Sequence, residues 1–321
     1  MMEPGSVPIL GIRGLTKSFP AGRFRERSIR VVDNVDMDVS AGEIRGIVGE
    51  SGAGKSTLVR CSLRLLEPSS GSIQFNGDEL THLNASSLRA RRRDFQMVFQ
   101  DPYASLNRYM TVEQILMEPL QIHKIGDCDF RIRRVREMME AVSLSESFMN
   151  RKPSELSGGQ QQRVGIARGL ILKPRLLVAD EPVSALDASV QAQILNLMAE
   201  LKRQYSLTLI LISHSLSAIH YLCTHISLLY RGRLVEEAPA EVFFTEPKHP
   251  YGKTLLDATM VLDPYQGHQV RSTAAVNTVT GSGCAFHPFC AQKLSICARQ
   301  VPQLKQVREG EKVACFLHPA D

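Results

Sequence analysis

Apolar and polar residues alternate from Val35 to Val39, the period of a half-buried antiparallel strand. Residues 7–48 read as strands, interrupted by a basic loop over Arg23–Arg30. Glu43–Val48 is a short strand, Gly49–Gly54 a turn and Lys55–Leu66 a helix. Ser72–Phe75 and Phe95–Phe99 read as strands on either side of a basic helix ending at Arg89–Arg93. Val112–Leu120 and Phe130–Val142 have helical spacing with no strand between them. Leu176–Ala179 and Leu207–Ile212 are continuous apolar runs, which suits parallel strands buried on both faces. Between them Val190, Ile194, Leu197, Met198 and Leu201 mark one face of a helix. This alternation predicts an α/β layer around a parallel sheet. After Thr259 the pattern weakens, and residues 263–283 read as a linker.

Composition narrows the class. The 321 residues suggest about two domains, or one large domain with an appendage. Hydrophobic residues at 43% and charged residues at 22% exclude a disordered chain. A net charge of +5 is too weak to argue for nucleic acid, and none is expected as a partner. No apolar run approaches the ~20 residues of a membrane helix, and the N-terminus lacks the pattern of a secretory signal. The chain is therefore expected in the cytosol. Seven cysteines, an odd number, argue against a disulfide framework there.

Gly49-Glu50-Ser51-Gly52-Ala53-Gly54-Lys55-Ser56-Thr57 fits the phosphate-binding pattern G-x-x-x-x-G-K-[ST], between an apolar strand and a helix. Glycines let the backbone wrap closely, so successive N–H groups can face phosphate oxygens, and the helix adds its positive end. Lys55 can reach the β and γ phosphates, and Ser56 can hold Mg²⁺. Asp180, ending an apolar strand, is placed to organise Mg²⁺, and Glu181 to orient or deprotonate the attacking water. Leu156-Ser157-Gly158-Gly159-Gln160 opens a second N–H-rich helix, with capping-box spacing between Ser157 and Gln160. One nucleotide has no need of two such cradles in one chain, so the second is expected to close over a nucleotide held by another subunit.

Together these segments resemble the ATP-binding cassette (ABC) ATPases, with residues 156–160 matching the family's signature. The resemblance implies a P-loop parallel-sheet core, an antiparallel β subdomain and a helical signature subdomain. It assigns Gln100 to the Q-loop, as a ligand of Mg²⁺ and water, and Ser184-Ala185-Leu186-Asp187 to the D-loop at a dimer seam. His214 becomes the switch histidine, and Phe19 the aromatic that stacks on adenine, with Phe24 its competitor.

A narrower resemblance is to the ATPases of oligopeptide and dipeptide importers. It rests on Val98–Asn107, Asp180–Asp187, Pro247–Tyr251 and Gly283–Cys290. Arg108 stands where that family usually has proline, and Ser215 where aspartate is common. The domains implied are 7–259 for the ATPase, with its helical subdomain at about 103–160, and 260–321 for a linker and C-terminal extension. The implied function is ATP hydrolysis driving uptake of peptides or a related solute, nickel and glutathione included. A soluble ABC ATPase of repair or translation is the rival. The implied partners are a second cassette, expected to be a different chain, two membrane permease subunits and, indirectly, an extracytoplasmic solute-binding protein. The subunit would sit on the cytoplasmic face of the inner membrane.

The cysteines Cys284-x5-Cys290-x6-Cys297, then seventeen residues to Cys315, could hold a [4Fe–4S] cluster or tetrahedral zinc, or remain free thiols in a small apolar core. The importer resemblance favours iron–sulfur. The cofactors expected are thus ATP, Mg²⁺ and a [4Fe–4S] cluster.

Overall fold

The computed structural model describes residues 7–21, 27–260 and 283–318. The chain starts with β1 (Leu10–Ala21), β2 (Arg27–Val39), β3 (Ile44–Val48), α1 (Lys55–Ser62), β4 (Ser70–Phe75) and β5 (Asp78–Glu79). Next come α2 (Ala85–Arg91), β6 (Phe95–Val98), α3 (Pro102–Ser105), α4 (Val112–Ile122), α5 (Cys128–Ala141) and α6 (Gly158–Leu170). β7 (Leu176–Asp180), α7 (Ala188–Tyr205), β8 (Thr208–Ile212), α8 (Leu216–Leu222) and β9 (His225–Tyr230) follow. The last elements are β10 (Arg233–Pro239), α9 (Ala240–Thr245), α10 (Pro250–Met260), β11 (Lys305–Arg308) and β12 (Glu311–Val313). The result is an α/β fold with mixed sheets.

The chain divides into two compact units. The first gathers residues up to 40, 45–81 and those from 214 onward. Its antiparallel sheet runs β2-β1-β4-β5, with Leu10 opposite both Val39 and Phe75. β2 starts at Arg27, so half of the expected basic loop is strand; Phe19 pairs with Ile29. Residues 22–26, with Phe24, lie outside the described residues. In this unit β3 pairs in parallel with β9, and β10, β12 and β11 continue antiparallel. Every residue of β3 is buried. A Cβ on Gly46 would come within 2.9 Å of Cys223 Sγ, so the glycine lets α8 lie against the strand. α1 ends at Ser62, short of the expected Leu66; Arg64 takes a positive φ, and the Leu65 and Leu66 N–H groups turn back to the Arg60 carbonyl.

The second unit comprises residues 41–44 and 82–213. Its strands β6, β7 and β8 are parallel, with Val98 opposite Ala179 and Asp180 opposite Ile212. β7 and β8 are fully buried, as their unbroken apolar runs require. α7 buries Ile194, Leu197, Met198 and Leu201, while Val190 stays half-buried.

The C-terminal residues join the first unit by an element the hydropathy pattern did not reveal. β12 pairs with β10, and Lys312 Nζ lies 3.2 Å from Glu237 Oε2. Beside this edge Glu236 is buried and accepts the Lys248 and His249 N–H groups, each at 2.8 Å. Burial pushes the Glu236 carboxyl up to about 7, the two N–H donors opposing it. Burial, helped by the nearby His318, lowers His249 to about 4.

These two groups pull stability in opposite directions. An acid whose pKa is raised on folding releases its proton on unfolding, so the Glu236 contribution is present below its ordinary pKa of 4.5 and is lost as pH rises towards about 7. A histidine whose pKa is depressed on folding takes up a proton on unfolding, so its contribution is present above its ordinary 6.5 and is lost as pH falls towards about 4. Glu236→Gln removes the first slope alone. Calorimetric Tm between pH 4.5 and 6.5 should then climb more steeply with pH in the variant than in the wild type. Parallel curves would refute the assignment.

Candidate functional site

The phosphate loop lies in the first unit and is shaped by close backbone approaches. Gly54, the N-cap of α1, has φ +102°, and a Cβ there would sit 2.5 Å from the Val31 carbonyl oxygen. A Cβ on Gly49 would collide with the Leu229 carbonyl oxygen. The Gly232 N–H donates to the Ala53 carbonyl at 2.8 Å. β2 and the β9–β10 turn therefore press on the loop through backbone atoms, which only glycine tolerates. Lys55 is buried, and its Nζ donates to the carbonyls of Gly49 at 2.7 Å and Glu50 at 2.9 Å. The Glu50 N–H donates to Tyr251 Oη at 2.9 Å. Burial holds the Tyr251 phenol above its ordinary pKa, so it stays protonated. Ser56 and Thr57 follow Lys55 in the first turn of α1.

In the second unit β7 delivers Asp180 fully buried at its last position. Glu181 then adopts φ +49°, and its N–H donates to the Ile212 carbonyl. This turn separates adjacent carboxylates into different surroundings: Asp180 is buried and Glu181 half-buried. Gln100 Nε2 donates to Glu181 Oε2 at 2.8 Å, so two residues 81 positions apart meet at one carboxylate. The Ser184 hydroxyl donates to the Glu181 carbonyl at 3.1 Å, which closes the turn holding Ser184, Ala185, Leu186 and Asp187. Asp187 is the N-cap position of α7.

Leu156 is buried ahead of α6, whose N-terminus carries a full capping box. Gln160 N–H donates to Ser157 Oγ at 3.4 Å, and Ser157 N–H to Gln160 Oε1 at 2.9 Å. Gly158 and Gly159 sit against the neighbouring segment: added Cβ atoms would lie 3.3 Å from Leu186 Cδ2 and 2.7 Å from Val190 Cγ1. The signature helix and the D-loop are thus brought together within this unit.

His214 is exposed just after Ser213, and Ser215 caps α8 by accepting the Ala218 N–H. Phe19 is 36% exposed on β1, with Lys17 Nζ 5.1 Å from its ring centroid. Tyr251 is the residue that sequence reasoning missed. It lies 201 positions from the loop it contacts, and its only sequence signal was its place in the Pro247–Tyr251 segment.

The iron–sulfur assignment is overturned. Among the described residues, no group of three or more His, Cys, Asp or Glu side chains is arranged to hold a metal ion. Cys284, Cys290, Cys297 and Cys315 are free cysteines, and Cys297 is buried. Burial raises the Cys284 and Cys315 thiols above their ordinary range. The segment instead buries Phe286 and satisfies its backbone locally, the Cys284 N–H donating to the Cys297 carbonyl at 2.8 Å. Cys297, the buried one, packs as a small hydrophobe.

Residues 32–184 match the family described as ABC transporter. A Brucella ovis protein named for peptide import and ATP binding is 43% identical over 312 residues, covering 96% of this chain and 98% of its own. The chain belongs to the ABC transporter family. Residues 235–297 of this cassette match the oligopeptide/dipeptide transporter C-terminal region, which places it in that branch. The oligopeptide transport ATP-binding protein AppF of Bacillus subtilis is 40% identical over 321 residues, with 97% of each chain covered. Among solved structures, the dimeric post-hydrolysis state of the ATP-binding cassette MJ0796, bound to ADP and Pi, superposes with a TM-score of 0.66 and 30% identity. That match covers 72% of this chain and 98% of the other. Among the described residues, no helix of the cassette is long and apolar enough to cross a membrane.

The glycine collisions can be measured. Gly42 has φ +74° with nothing within 4 Å of an added Cβ, whereas Gly54 has both a positive φ and the Val31 carbonyl. Gly42→Ala should cost about 1–2 kcal/mol, from the backbone alone. Gly54→Ala should cost more than about 3 kcal/mol in urea unfolding, because the chain must also move aside. Equal losses would show that the loop relaxes freely.

Proposed function

We propose that this cassette hydrolyses ATP to power import of a peptide cargo. Its place as the ATPase subunit of an ABC importer follows from its family. The observation that carries the peptide reading is the union, in one chain, of the cassette match and the oligopeptide/dipeptide C-terminal match.

The residue roles are proposals built on site chemistry. Gly49–Thr57 supply backbone N–H groups and the Lys55 ammonium to the nucleotide phosphates. Lys55 must then exchange its two carbonyl partners for phosphate oxygens. Phe19 offers a ring for the adenine. Ser56, Gln100 and Asp180 present a hydroxyl, an amide oxygen and a carboxylate, hard oxygen donors that suit Mg²⁺. The Gln100–Glu181 bond engages the amide nitrogen, so it does not consume the oxygen. When bound, the ion screens phosphate charge. Glu181 orients water and takes its proton as the water oxygen attacks the γ-phosphorus, with ADP leaving. Gln100 fixes the carboxylate's direction, and His214 is the γ-phosphate sensor.

Leu156–Gln160 serve a nucleotide held by a second cassette, with Ser184–Asp187 at the seam between the two. The partner cassette is a different chain. The pair works beneath two permease subunits on the cytoplasmic face of the inner membrane, and a solute-binding protein delivers cargo from the far side. Closure on ATP and reopening after hydrolysis shift the permease between two states.

Glu181→Gln preserves size while removing the base. ATP binding should persist and turnover should fall by about 10²- to 10⁴-fold in the assembled transporter; near-normal turnover would sink the role. The divided site makes a second demand. The isolated chain should hydrolyse ATP poorly, with activity rising sharply once the partner cassette and permease are added. Full activity from a monomer at high dilution would defeat the shared-site reading.

A further inference from the structure

The peptide unit between Gly49 and Glu50 is gripped at both ends. Its carbonyl oxygen accepts Lys55 Nζ at 2.7 Å, and its N–H donates to Tyr251 Oη at 2.9 Å. The first grip is temporary if Lys55 serves the phosphates, because one ammonium cannot hold every partner at full strength. The second does not involve a group that the nucleotide needs. Were both lost, the 49–50 peptide would be free to rotate, and the N–H groups that follow it in the loop would lose their fixed directions towards an anion.

Tyr251 is itself held firmly. It is 1% exposed at the start of α10. Its ring lies 4.5 Å from that of Tyr230 and 5.5 Å from that of Phe286, centroid to centroid. Phe286 also packs against His249 at 5.9 Å, and His249 Nδ1 accepts the Tyr251 N–H at 3.0 Å. The neighbouring Tyr230 hydroxyl is buried with no hydrogen-bond partner among the described residues. Two phenols therefore share one aromatic cluster, and one of them is bonded to the loop.

We propose that Tyr251 is a positioning residue for the nucleotide: its hydroxyl keeps the 49–50 peptide, and with it the loop N–H groups that follow, in the observed orientation while Lys55 moves to the phosphates. This rests on the ATP reading above. It gives the C-terminal region a direct part in nucleotide affinity, since Phe286 and His249 orient the ring that holds the loop.

The test uses the full chain and Mg²⁺ with a fluorescent ATP analogue, N-methylanthraniloyl-ATP. Tyr251→Phe keeps the ring and deletes the hydroxyl; Tyr230→Phe deletes the unbonded one. Affinity should fall about 3- to 10-fold in Tyr251→Phe, the scale of one hydrogen bond, and should stay within about twofold of wild type in Tyr230→Phe. Amide hydrogen exchange at Glu50 should accelerate in Tyr251→Phe alone, measured where both variants are fully folded by circular dichroism. Unchanged affinity in Tyr251→Phe overturns the proposal, as does an equal loss in Tyr230→Phe, which would make the effect one of general packing. Failure of the wild type to bind the analogue is a different result: it sinks the nucleotide reading, and this inference with it.

Discussion

Backbone atoms of three separate chain segments converge on one glycine-rich turn, and the first unit is arranged around that convergence. Val31 from β2, Leu229 from β9 and Gly232 from the following turn approach Gly54, Gly49 and Ala53 through main-chain oxygens or N–H groups. There is no room for a side chain at either glycine. A turn pinned in this way keeps its N–H groups in place before any anion arrives, so binding does not have to order the loop. Tyr251 adds a side-chain hydroxyl that accepts the Glu50 N–H of this turn. It comes from α10, whose approach is tied to β10 by Glu236, which accepts the Lys248 and His249 N–H groups.

The second unit solves a different problem. If the strand continued, two consecutive carboxylates would point to opposite faces of a sheet buried on both sides. The positive φ at Glu181 breaks the direction, leaving Asp180 in the interior and sending Glu181 to Gln100. A non-glycine residue in that conformation is strained by about 1–3 kcal/mol, and it persists because the Ile212 carbonyl and the Ser184 hydroxyl hold the turn on both sides. The turn thus separates two adjacent carboxylates into different surroundings within a two-residue step.

The C-terminal segment shows how far cysteine spacing can mislead. Four cysteines spaced as in Cys284, Cys290, Cys297 and Cys315 satisfy a ligand count, but a metal site also needs thiolates at bonding geometry. The described residues bring together no such ligand group, and the segment is secured by Phe286 against Tyr230 and Tyr251 and by β12 against β10. Its order comes from aromatic packing and strand pairing.

Local pattern was enough for much of this protein. Unbroken apolar runs marked β7 and β8 because parallel strands are buried on both faces. The 3.6-residue period marked the inner face of α7, and Ser157 with Gln160 announced a capping box because cap bonds span only three residues. The phosphate loop was legible for the same reason: its chemistry lies within nine consecutive residues. What the sequence could not decide was anything set by long-range approach. The Gln100–Glu181 bond spans 81 positions and the Glu50–Tyr251 bond 201. The pairing of β12 with β10 and the fate of the four cysteines likewise depend on which surfaces meet and how deeply they are buried. Residue spacing carries the periods of helices, strands and turns, but contacts between distant segments exist only once the chain has closed on itself, and tertiary structure alone supplied them.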